Sequence, residues 1–131
     1  MSTPTRKNMA KQRSTVNIPR AEWSEFLQSF GHRRHGWSVT LETYDLETDE
    51  KVISHEMPLQ SIELDLEDEK NPRINITVKL DNKVIKHILF RPSQLIWYRP
   101  EPGAGEALHI DTLNTVTTVR FRAPISGNVS V

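Results

Sequence analysis

The chain has 131 residues, one domain's worth, and its seventeen basic residues balance seventeen acidic ones. It contains no cysteine, which excludes disulfides, thiolate catalysis, iron–sulfur clusters and thiolate zinc sites. No apolar run approaches the roughly 18 residues of a membrane-spanning helix, and the first twenty residues lack the apolar stretch of a secretory signal. The expectation is a cytoplasmic chain with no membrane partner.

The charges are unevenly placed. Residues 1–20 carry Arg6, Lys7, Lys11, Arg13 and Arg20 and no acid, whereas residues 41–70 carry eleven acids against Lys51 and Lys70. Residues 71–131 are mildly basic, with eight basic and four acidic side chains. Such blocks most often make solvated faces, and they allow the tail to attract the body.

Residues 1–16 show no hydrophobic period, and the composition predicts a disordered basic tail. Order is expected over 17–124, with residues 125–131 a frayed C-terminal tail. Pro19 suits the first turn of a helix, where its missing N–H has no partner to lose. Trp23, Phe26, Leu27 and Phe30 then fall at i, i+3, i+4 and i+7, the apolar stripe of one amphipathic helix. Gly31 is expected to end that helix in the left-handed cap conformation. His32, Arg33, Arg34 and His35 follow, where cations meet unpaired carbonyls, and Gly36 lets the chain turn at Trp37.

From Trp37 the period is two. WSVTLETY, KVISHEMPL, SIELDLE, RINITVKL, KVIKHILFR, QLIWYR, EALHID and TVTTVRFR read as strands divided by turn residues. Asp81-Asn82 is a two-residue hairpin turn, and PEPGAGE is a loop. KVIKHILFR is apolar on both faces and is expected to lie centrally. Parallel pairing would need crossover helices, and no second helical pattern exists. The predicted fold class is therefore α+β: an antiparallel β meander of about seven or eight strands, curled or barrel-like, with one N-terminal amphipathic helix packed on it.

IPRAEWSEFLQSF followed by GWSVTLE resembles the start of an uncharacterised bacterial family, domain of unknown function 5335. The residues that carry the likeness are Ile18, Pro19, Arg20, Glu22, Trp23, Phe26, Phe30, Gly36 and Trp37. MPLQSIELDLED resembles the family's proline-leucine step into an acidic strand, and RFRAP its closing strand, so the likeness spans roughly 17–124. It implies no activity, cofactor or catalytic residue, because the family has none established.

The candidate chemistry is sparse. Asp45, Glu47, Asp49 and Glu56 have calcium-loop spacing, but Glu50 stands where glycine is needed and strands flank the segment. Glu63, Asp65 and Glu67 alternate as the outward half of a strand. His55 and His87 share parity with apolar neighbours, whereas His109 has the opposite parity and is expected outside. Two histidines near the helix end leave a zinc site short of ligands. No nucleophile elbow or phosphate loop is present. Catalytic residues, metals and cofactors are therefore all expected to be none.

Basic and aromatic residues interleave late in the chain. Arg33, Arg34, Arg91, Trp97, Arg99, Arg120 and Arg122 form a candidate anion- or nucleic-acid-binding set, with the tail as accessory. The reading favoured by composition and motifs is a non-catalytic protein-interaction or accessory module, including self-association through an edge strand. Nucleic-acid or polyanion binding is the alternative, and a small ligand-binding barrel or hydrolase is a third.

Overall fold

The structure, a computed structural model, describes residues 14–102 and 105–124. Residues 1–13 of the expected 1–16 tail, the Gly103-Ala104 step and the segment 125–131 lie outside the described residues. The described chain is mostly antiparallel sheet, with nine strands and one short α-helix. Strand β1 is Thr15–Asn17 and helix α1 is Trp23–Arg33, preceded by a 3-10 turn over Arg20–Glu22. Then come β2 Ser38–Asp45, β3 Lys51–Ile53, β4 Met57–Asp65, β5 Arg73–Leu80, β6 Lys83–Phe90, β7 Gln94–Tyr98, β8 Glu106–Asp111 and β9 Thr115–Arg122.

The spatial order is β1-β7-β8-β9-β2-β4-β5-β6, with β3 paired to β2. The simple meander is thus corrected: β9 returns to pair along the whole of β2, from Ser38↔Arg122 to Asp45↔Thr115. The sheet is not closed, and β6 is its terminal strand. That corrects the central placement of KVIKHILFR. Residues 91–93 alone link β6 to β7, near the far end of the strand order, so the sheet must bend strongly. The strand expected over KVISHEMPL breaks after Ile53, and its MPL joins SIELD through a register shift between Leu59 and Ser61. Thr15 and Val16, at the end of the stretch expected as tail, pair with Tyr98 and Trp97, and Asn17 pairs with Ile96.

Trp23, Leu27 and Phe30 of α1 are buried and Phe26 is partly so. They join Val39, Leu59, Ile74, Ile76, Leu108, Val119 and others in a single core. Burial of each such side chain contributes about 1.5–3 kcal/mol. Beyond Ser38↔Pro58 and Val39↔Met57, β2 and β4 separate, and α1 lies against β4. Gly31 permits this approach. A Cβ there would sit 3.1 Å from the Ile62 backbone nitrogen, tighter than packed atoms tolerate without a shift. The helix runs on through Gly31 to Arg33, so this glycine is a packing residue and not the helix stop. The left-handed step falls at Gly36, φ 86°.

Candidate functional site

The sequence-predicted cations do not converge on an open surface. Arg34 lies just past α1 and meets Glu106 of β8 in a two-pronged contact, Nε to Oε1 at 2.6 Å and Nη2 to Oε2 at 2.7 Å. Its Nη1 also donates to the Phe30 carbonyl at 3.1 Å, so the expected capping of the helix end is present. The guanidinium stacks 3.6 Å from the Phe30 ring centroid. Trp97 Nε1 donates to Glu106 Oε2 at 2.8 Å, while its ring packs against Phe26 and Phe30. Arg99 lies over Trp97 at 5.3 Å. The structure thus brings Arg34 and Trp97 onto a carboxylate, Glu106, whose side chain is 3% exposed, with Arg99 over the Trp97 ring.

Elsewhere Arg122 meets Glu56 at 2.7 Å and Arg120 reaches Glu42 at 3.4 Å, both on the outer face. Arg33 is exposed and donates to Ser29 Oγ, and Arg91 stands at the β6–β7 corner with φ 55°. His109 is on the outer face as its parity indicates, 2.8 Å from Asp111. The calcium-spaced acids form the β2–β3 hairpin, where Asp45 Oδ1 accepts from the Glu47 and Thr48 amides and Tyr44 donates to Asp49. Asp65 accepts from Arg73 at 2.9 Å. The Glu67 amide, helped by Arg73 and Asn75, holds the Asp65 carboxyl below its ordinary pKa.

Two hollows lie where the sheet fails to close, and others lie between α1 and β4 and beside Trp37 and Phe121. A hollow of about 780 Å³ lies between Ser54–Met57 and the β5–β6 hairpin, lined by Leu80, Lys83, Ile85 and His87 among others. A second, of about 330 Å³, runs beside His87–Phe90, against Leu41, Thr43 and residues of the 112–115 turn. His87 lines both, so together they make a groove along β6. Burial lowers the His87 pKa from its ordinary value, favouring the neutral ring.

The hairpin fixes which groups β6 offers. Asp81, φ 56°, and Asn82 form a two-residue loop, making Leu80↔Lys83 the closing hydrogen-bonded pair. The register continues unbroken to Arg73↔Phe90. Hydrogen-bonded and non-hydrogen-bonded pairs alternate along such a ladder. Val84, Lys86, Ile88 and Phe90 therefore aim their backbone N–H and C=O groups at the open edge. Their side chains are exposed too, Val84 by 55% and Phe90 by 59%.

The chain belongs to the DUF5335 family. The family model, described as a family of unknown function, matches residues 14–130. This places both the Glu106 junction and the β6 groove within the matched DUF5335 region. No curated protein and no solved structure matches the chain.

Two features of this DUF5335 chain were not singled out in the sequence. Glu106 has the parity of Leu108 and Ile110, the signal of an inward acid that needs a partner. Edge placement of β6 leaves no local signal, because it depends on where β9 pairs. Among the described residues, no group of three or more His, Asp or Glu side chains could hold a metal. No helix there is long and apolar enough to cross a membrane.

Proposed function

We propose that this DUF5335 chain is a non-catalytic protein-interaction module that takes up an extended segment of a partner along β6. One observation carries the reading. An eight-residue terminal strand, flanked by a groove, directs the backbone groups of Val84, Lys86, Ile88 and Phe90 outward. Strand addition uses such edges: main-chain hydrogen bonds supply affinity, and hollows take alternate side chains. Long apolar edges are normally shortened, covered or charged. The opposite edge, β1, is only three residues long.

The test removes one outward donor. Ile88→Pro deletes an N–H that faces the open edge and spares the hydrogen bonds to β5. Hydrogen exchange is followed at the β6 amides while a mixture of extended eight-residue peptides is added. Protection of Val84, Lys86 and Phe90 in the parent chain, absent in a folded Ile88→Pro variant, supports the reading. Protection elsewhere, or none with any peptide, overturns it.

A further inference from the structure

The groove also has a chemical preference. We infer that its partner is an acidic-apolar strand, with apolar side chains at alternate positions and carboxylates at positions between them. This inference rests on the strand-uptake reading above and names the partner class for that same site.

The argument follows the pleat. In a strand laid beside β6, successive side chains alternate between the two sheet faces. One set points inward, towards hollows whose apolar walls are Met57, Ile85, Leu41 and Leu89, with Glu56, Asp81 and Lys83 also lining the larger one. These walls select apolar side chains. The other set lies on the outer face beside Val84, Lys86, Ile88 and Phe90. On that face β6 carries Lys86 and no acid, while Lys83 and Arg91 have the parity of Ile85 and His87 and flank it at the two ends of the strand. None of these three cations is within ion-pair distance of a carboxylate among the described residues, whereas Arg34, Arg120 and Arg122 each have one. Opposite charges directly across a strand pair stabilise it, and like charges oppose it.

The same charges argue against a second copy as occupant. Antiparallel pairing of β6 with β6 brings Lys86 of each copy to the same outer face, with no acid in residues 83–91 to answer it. A central lysine is a common guard against edge-to-edge association. It repels its own kind and admits an acid.

Three blocked eight-residue peptides test this: alternating Val–Glu, Val–Thr and Val–Lys. The readouts are fluorescence anisotropy and protection of β6 amides. The expected result is Val–Glu binding at least about threefold more tightly than Val–Thr at low salt, with Val–Lys weakest. The advantage shrinks as salt rises. Lys86→Glu reverses the order, while Ile88→Pro abolishes binding of all three. Equal binding of the three peptides overturns the charge preference and leaves strand uptake standing. Binding of none overturns both. Sedimentation of the chain alone is expected to show no dimer that depends on Ile88. A dimer lost in Ile88→Pro would make the occupant a second copy and overturn the inference.

Discussion

The two halves of the bent sheet treat their polar groups in opposite ways. Around Glu106 everything is answered: one buried carboxylate receives Arg34 by two nitrogens and Trp97 by a third, under the rings of Phe26 and Phe30. Along β6 the backbone faces a groove without a further strand. The first arrangement ties α1 to β7 and β8 and fixes the core. The second leaves the longest of the sheet's edge strands without a partner on one side. A sheet that is sealed at one seam and open at the other separates holding the fold from meeting a partner.

The sharpest way to break this contrast is at the sealed half. Removing one member of a buried ion pair leaves the other charged and unpaired, which costs about 3–5 kcal/mol. Arg34→Ala and Glu106→Ala are each expected to lose about that much in urea unfolding. The double variant Arg34→Met with Glu106→Leu is expected to recover much of it, because no orphaned charge remains. By contrast, Ile88→Thr on the open edge should stay within about 0.5 kcal/mol of the parent. Near-equal losses at the two places would mean that the β6 edge is as integral to the fold as the Glu106 junction.

The contrast also shows what the sequence could disclose. The helix stripe was legible because Trp23, Leu27 and Phe30 recur at helical spacing and must be buried on something. The Asp81-Asn82 hairpin was legible from two residues that tolerate positive φ. Local pattern could not disclose that Gly31 sits inside the helix, since its role comes from Ile62, thirty-one positions away. Nor could it place KVIKHILFR. A strand that is apolar on both faces reads as central, yet here Ile85 and Leu89 face the core while Val84, Ile88 and Phe90 face outward. Arg34 and Trp97 were named by residue type as candidates for an external anion, and the carboxylate of this chain that both meet, Glu106, was not named. Glu106 closes the loop PEPGAGE and opens the strand EALHID, and its parity with Leu108 and Ile110 was not followed in the sequence.

A second test addresses the join between the halves, where α1 fits against β4. Gly31→Val places branched carbon within reach of the Ile62 backbone, which cannot swing aside as a long side chain would. Overpacking of this kind typically costs about 1–3 kcal/mol. The expected outcome is a loss in that range, with Gly31→Ala at its lower end. The comparison sharpens if α1 and β4 amides gain exchange in these variants while β7 and β8 amides do not. A neutral Gly31→Val would mean that helix and strand are not held as closely as the 3.1 Å approach requires.

The smallest effect is expected at the open half and depends on pH. Burial depresses the His87 pKa, so in the folded chain the ring stays neutral at pH values where an unfolded histidine, near 6.5, is already gaining a proton. The unfolded state then binds more protons than the folded state. Stability is expected to fall as pH drops below about 6.5, and to stop falling on this account once the folded ring also protonates. Above that range His87 contributes no slope. His87→Gln removes the titration, so urea midpoints measured from pH 7.5 to 5 should decline less in the variant than in the parent. Asp65 acts lower in the scale: its depressed carboxyl pKa makes its contribution present above an ordinary aspartate's pKa and lost as pH falls further. The two slopes are therefore separable. Filling the groove with a strand would dry the surroundings of His87 and depress its pKa further. The histidine titration should then move to lower pH when a peptide occupies β6, and an unmoved titration with β6 amides protected would place the strand outside the groove.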